Sequence, residues 1–209
     1  ENHTVAGEIP CLRTRDFDAT RSVDLMTAEK TGLAYRPPAQ RVAFTFRHLL
    51  SQVQIIGRID PALAASEVSA TIRSVKLYGM PGTGECAVQP GENGTWSLGE
   101  ATDADNPFAR DTVSRELTPA GISVFADDPL LFPQQVGDGF VLEIEYEYAG
   151  NGTSGTFAKS INLAGAGIGT WETGCSYRYT FTVGNEYILF EKPEVIPWSS
   201  ASGGNITVE

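Results

Sequence analysis

The chain has 209 residues, of which 41% are hydrophobic and 10% aromatic. That is enough apolar matter to bury the core of one large β domain or two small ones, and it excludes disorder by composition. Twenty-six acidic residues against 15 basic ones give a net charge of -11 with no basic cluster, which excludes a nucleic-acid partner and disfavours anionic membrane surfaces.

Alternation of apolar and polar residues dominates, and helical periodicity is nearly absent. Short strands are expected around Leu12 and over residues 23–26 and 42–46. The run RVAFTFRHLLSQVQIIGRI (41–59) changes phase at His48. Val42, Phe44 and Phe46 alternate before it; Leu49, Val53, Ile55 and Ile59 follow the other phase. This predicts a β-bulge or short turn at the histidine, with Phe44 and Phe46 in the core before it and Val53 and Ile55 after it. PALAASEVSA (61–70) is the best short helical turn. Strands over 72–79 and 95–98 are separated by the turn-rich MPGTGE and QPGENGT. GEATDADNPFARD (99–111) is acidic and lacks alternation, as a linker or long connection would.

The second half alternates more clearly. In FVLEIEYEY, Phe140, Leu142, Ile144, Tyr146 and Tyr148 face one way and Glu143, Glu145 and Glu147 the other. GNGTSG (150–155) reads as a hairpin loop, and TFAKSINL returns from it. YRYTFTV places Tyr177, Tyr179, Phe181 and Val183 on one face. Gly184-Asn185 is a two-residue hairpin signal before EYILFEK. Roughly thirteen to fifteen strands are enough for two sandwiches, and no βα alternation appears. The expectation is an all-β chain with domains at 1–105 and 106–209.

No apolar run approaches the ~18 residues of a membrane span. The chain opens at Glu1 without Met or an apolar leader, as a processed or trimmed form would. Cys11, Cys86 and Cys175 stand far apart with no CxxC pair, so zinc has no support; one disulfide or three free buried thiols both fit. Asn2, Asn93, Asn151 and Asn205 open N-x-T sequons and mark exposed turns.

Motifs for chemistry fail on context. GAGIG (165–169) lacks the helix that a dinucleotide fingerprint must open. A triad would need His3 or His48, and no nucleophile elbow exists to partner them. Glu143, Glu145 and Glu147 are spaced about 6.6 Å apart along a strand, near the separation of an inverting glycosidase pair. A row on one strand, without an opposed acid, reads instead as a solvated face. DADN (103–106) and Asp127-Asp128 lack a calcium-loop spacing. Trp96, Trp171 and Trp198 read first as core staples, and Trp96 or Trp171 as glycan platforms if exposed. No catalytic, metal or cofactor site emerges.

The strand motifs resemble a family. VAFTFRHLLSQVQIIGRI is similar to an early strand of the fimbrillins of Bacteroidales outer surfaces, with Phe44, Phe46, His48, Leu50 and Ser51 carrying the likeness. IRSVKLYG (72–79) resembles the family's next strand. LLFPQQVGDGFVLEIEYEY (130–148) resembles its "PQ" strand and the tyrosine-rich strand after it. INLAGAGIGTWETGCSYRYTFTVGNEYILFEKPEVIPW (161–198) resembles its C-terminal signature through Trp171, Gly174, Tyr177, Tyr179 and Trp198. The resemblance covers residues 41–209.

It implies two tandem transthyretin-like (Ig-like, Greek-key) β-sandwich domains. It also implies export as a lipoprotein, display on the cell surface or outer membrane, and a structural or adhesive role without enzymatic activity or cofactor. The implied partners are other fimbrial subunits, joined by β-strand addition, and a host or bacterial surface ligand. The membrane would be met only through a lipid anchor that this chain lacks; Cys11, with no apolar stretch before it, does not supply one. In the family's implied assembly, an Arg-specific protease removes an N-terminal strand and a neighbour's strand fills the groove. LRTRDFDATRSVD offers Arg13, Arg15 and Arg21 as cleavage points, with Arg21 best matching the family's "TR" position. SSASGGNITVE (199–209) could be a donor or the last strand, though short for a donor. The rival readings are a non-polymerising glycan-binding surface lipoprotein and a hydrolase using the glutamate row.

Overall fold

The computed structural model describes residues 11–29, 44–112, 114–150, 152–185 and 187–198. β1 (Leu12–Asp18) leads into a 3-10 turn (Ala19–Arg21), then the two-residue strands β2 (Met26–Thr27) and β3 (Arg47–His48). β4 (Ser51–Ile59) is followed by α1 (Pro61–Ala65), which starts where Asp60 accepts from the Ala62 amide and Pro61 presets the first helical turn. Next come β5 (Ser69–Tyr78), β6 (Thr83–Val88), β7 (Thr95–Leu98), β8 (Ala109–Asp111) and β9 (Arg115–Glu116). The short β10 (Ile122–Ser123), β11 (Leu130–Leu131) and β12 (Gln134–Gln135) precede the long hairpin of β13 (Val141–Gly150) and β14 (Thr153–Asn162). A 3-10 turn (Leu163–Ala166), β15 (Thr170–Trp171), β16 (Cys175–Val183), β17 (Ile188–Phe190) and β18 (Glu194–Pro197) complete the described chain.

Two large sheets form a sandwich. One runs β10–β4–β16–β17, with β11 also on β4 and β18 on β16. The other runs β14–β13–β5–β8, with β9 also on β5. Alternation decides which faces meet. Val53, Ile55 and Ile59 of β4 share one buried cluster with Tyr177, Tyr179, Phe181 and Val183 of β16. Leu142, Ile144, Tyr146 and Tyr148 of β13, and Ile72, Val75 and Leu77 of β5, complete it. Each such side chain stabilises the fold by about 1.5–3 kcal/mol on burial.

The expected division at 105/106 does not separate these sheets. β4 pairs in parallel with β16, residues 52–59 against 176–183, and β5 pairs with β13. Each large sheet is therefore built from both halves of the chain around a single main core. The three-stranded sheet β1–β6–β7 and the two-stranded β2–β3 lie wholly before residue 105. The expected linker is a tied connection: Thr102 donates to the Met80 carbonyl and accepts the Gly79 amide on its own carbonyl, and β8 joins the sheet at its end.

The break at His48 is present. β3 pairs with β2, and after a bend at Leu50 the chain enters a different sheet as β4. Val53 and Ile55 are fully buried as expected. Phe44 and Phe46 are instead 52% and 47% exposed, because the segment before the break lies outside the sandwich. Alternation there described a strand-like phase but not a core face. The hairpins also differ in length. β13 and β14 extend into the expected loop, whereas after β16 the Gly184 amide donates to the Tyr187 carbonyl, beyond the expected Gly184-Asn185 pair. Residues 199–209, His3 and Val42 lie outside the described residues.

Candidate functional site

The N-terminal strand is the outer strand of the small sheet β1–β6–β7. β1 pairs with β6 from Leu12↔Val88 to Thr14↔Cys86, shifts register, and resumes at Phe17↔Gly84. The shift falls at Arg15 and Asp16, and Asp16 has a positive φ of 51°. Phe17 packs against Trp96 at 5.9 Å and Phe132 at 6.3 Å, measured between ring centroids. Beyond it Ala19 is fully buried and bonds to the Gly82 carbonyl.

Arg21 closes the turn that follows. Its side chain is 78% exposed and pairs with Asp18 at 3.2 Å. The Thr20 hydroxyl bond, with help from the Thr20 amide and Arg21, holds the Asp18 carboxyl below the usual carboxylate range. Arg13 and Arg15 are exposed too, but both lie within β1, Arg13 paired with Ala87 of β6 and Arg15 at the register shift between two paired stretches. Among the three arginines, Arg21 is thus the one outside a strand.

The tryptophans act mainly as packing groups. Trp171 is fully buried, stacks on Phe140 at 5.4 Å and donates its Nε1–H to the Tyr179 hydroxyl at 3.0 Å. Its ring face is closed to a sugar, although a shallow cleft of about 420 Å³ passes its edge. Burial pushes the Tyr179 hydroxyl up to about 12. Trp96 is half-buried against Phe132 at 4.7 Å and donates to the Leu49 carbonyl. It borders a cleft of about 450 Å³ with Arg13, Arg15 and Glu85.

His48 is a junction. Its Nδ1 lies 2.8 Å from Asp24 Oδ2, and its ring stacks on Trp198 at 3.9 Å and 8°. It joins the segment after Arg21 to the end of β18. The nearby Ser51 hydroxyl donates to the Glu172 carbonyl, so it is bound to backbone rather than to the histidine. No sequence pattern points to a stack between positions 48 and 198. The resemblance named both residues without placing them together.

The glutamate row is a compensated face. Glu143 pairs with Lys76 at 2.9 Å, Glu147 pairs with Arg73, and Glu145 is exposed opposite Ser74. Among the described residues, no three His, Cys, Asp or Glu side chains converge as a metal site. No described helix is long and apolar enough to cross a membrane.

All three cysteines are free thiols. Burial, with a smaller contribution from Cys11, pushes the Cys86 thiol up to about 11. Alkylation of the native protein near pH 8 should therefore label Cys11 and Cys175 well before Cys86, which needs unfolding to react. Mass-spectrometric mapping checks this, and equal labelling of Cys86 in the native state would contradict its burial.

A family described as fimbrillin-like matches residues 14–198. Among solved structures, a fimbrial protein from Bacteroides vulgatus is similar at 17% identity and a TM-score of 0.51, covering 91% of this chain and 68% of that one. A candidate cell adhesion protein from Bacteroides uniformis is similar at 18% identity and a TM-score of 0.47, covering 90% and 66%. Another, from Parabacteroides distasonis, is similar at 12% identity and a TM-score of 0.49, covering 76% and 54%. The likeness to the fimbrial protein is one of fold, and this chain spans about two-thirds or less of the three structures' lengths. No curated protein matches the chain. The family match takes in nearly all of the all-β architecture described above, and this chain belongs to the fimbrillin-like family.

Proposed function

We propose that this chain is an adhesive, fimbrial-type subunit of the cell surface. It joins neighbouring subunits by strand exchange after cleavage behind Arg21. The carrying observation is the coincidence of β1 and Arg21. The strand that would leave is the outer strand of a small sheet, and the arginine that would release it stands exposed just past its end. Loss of residues 1–21 would remove Phe17 from Trp96 and Phe132 and leave the edge of β6 that faces β1 unpaired along residues 83–88, with β7 still on its other side. An unpaired edge over an apolar floor is the acceptor that strand addition needs.

Cleavage at Arg13 or Arg15 would require β1 to open locally first, since a protease must draw out extended, unpaired backbone. The lipid anchor and the outer-membrane position belong to the same reading, as does the donor role of residues 199–209. The glycan-binding rival gains nothing from a buried Trp171.

Limited trypsin treatment followed by unheated gel electrophoresis tests the proposal. The expected result is cleavage after Arg21 and a ladder of detergent-resistant multimers. Arg21→Ala should keep β1 in place and abolish the ladder. Complete cleavage at Arg21 with only monomer at high concentration would overturn strand exchange.

A further inference from the structure

β14 is the longest regular sheet edge among the described residues. It pairs with β13 over ten residues, Thr153 to Asn162, without a register shift. No described strand pairs with its other side. The other edge strands of the two large sheets, β8, β9, β10, β11, β17 and β18, have two to four residues each. Natural sheets blunt their edges by shortness, bulges, proline or charge, because unpaired N–H and C=O groups template further pairing. β14 has no proline and no bulge, and Lys159 is its only charged residue.

The sandwich also stops short of this strand. Leu142, Ile144, Tyr146 and Tyr148 on β13 are buried. Their β14 neighbours on the same face, Ile161, Lys159, Phe157 and Gly155, are half-buried or exposed. Phe157 stacks on Tyr146 at 5.7 Å and remains 41% exposed. The result is a ledge with a free backbone edge and an uncovered aromatic.

We propose that this ledge pairs with the β14 of a second copy, antiparallel about a two-fold axis at Phe157. Same-face residues must meet, so the register moves only in steps of two residues. Centred on Phe157, the two exposed rings face each other, which is a favourable cross-strand pair. Lys159 then falls opposite Gly155, Thr156 opposite Ala158, and Ser160 opposite Ser154. No like charges meet. The acidic row lies one strand further in, with Glu143 and Glu147 already paired. Two chains of net charge -11 thus approach through neutral and basic side chains. Residues 153–161 of each copy would form the ladder. At about one bond per residue pair, it approaches the ~10 hydrogen bonds of a typical interface.

Sedimentation equilibrium on the uncleaved chain tests this, and wild type should dimerise reversibly. A Cβ at Gly155 meets only the Phe157 ring, at 3.6 Å, so that position takes a side chain without disturbing the subunit. Gly155→Lys opposes two lysines twice per dimer and should weaken it about tenfold. Gly155→Glu should tighten it, and combining Gly155→Lys with Lys159→Glu should restore it. A wild type that stays monomeric at its highest soluble concentration would overturn the proposal. So would a dimer indifferent to both charges. A monomer in which the β14 amides that face away from β13 resist hydrogen exchange would overturn it too, assigning the edge to another segment of this chain. The dimer needs no cleavage, so its loss would leave strand exchange at Arg21 standing.

Discussion

Trp171→Ala should lower the folding stability by about 3–5 kcal/mol, measured by urea or guanidinium unfolding. The indole is fully buried at the centre of the main cluster, where the chain turns from β15 toward β16. Removing it loses the stack on Phe140 and leaves a void that the long, paired strands around it cannot collapse to fill. It also strands the Tyr179 hydroxyl, which has been accepting the indole N–H. That hydroxyl is itself fully buried on β16, so its lost partner adds to the void's cost. Trp171→Phe separates the two effects. It keeps an aromatic against Phe140 and should cost less, about 1–2 kcal/mol beyond the smaller ring's lost contacts, for the unpaired hydroxyl. A Trp171→Ala protein as stable as wild type would show that the indole is not a core group, and would reopen its use as an exposed platform.

Trp171 also shows where reading the sequence stops. A tryptophan after a glycine-rich loop is compatible with a core staple or a sugar platform, because a local window does not reveal what covers it. The faces of β13 and β16 were legible, since clean alternation over nine or ten residues leaves one choice of inward side. Their neighbours were not. Parallel pairing of β4 with β16 joins side chains 124 positions apart, such as Ser176 and Gln52, and alternation assigns a face without naming a partner. The expected division at 105/106 crosses the sheets for that reason: the all-β character was readable, but which strands share a sheet was not.

The candidate site was legible unevenly. Arg21 was picked out with Arg13 and Arg15 by residue type and by the family's pattern. What separates it from them is position: β1 holds Arg13 in its ladder and Arg15 at its register shift, and ends before the third. The His48 stack on Trp198 had no local signal, because it forms between the end of β18 and a two-residue strand beside a phase break. The phase break itself was legible, and its meaning was a change of sheet rather than a bulge within one. The open edge of β14 was hidden by the apparent loop GNGTSG, which yielded to strand because β13 supplies a partner for every residue from Thr153 onward.

Gly79→Ala should cost at least about 3 kcal/mol, against a near-neutral Gly139→Ala. Gly79 follows β5 at a φ of +96°, where an L side chain is strained by about 1–2 kcal/mol before any contact is considered. A Cβ there would also overlap the Gly139 carbonyl oxygen and press on the Phe140 backbone at 3.2 Å. Neither neighbour can yield cheaply. Phe140 is 7% exposed, stacks on Trp171, and its amide and carbonyl bond Gly137 and Leu163. The Gly79 amide meanwhile donates to the Thr102 carbonyl, holding the long connection beneath the sheet. The substitution must push β5 away from the entry to β13, at the seam between strands from the two halves of the chain. Gly139 is the matched control, since a Cβ built on it meets nothing within 4 Å. Denaturant midpoints for the two variants give the comparison directly. If both shifted alike, the close approach of residue 79 to residue 139 would not exist, and the seam would be looser than the paired register of β5 and β13 requires.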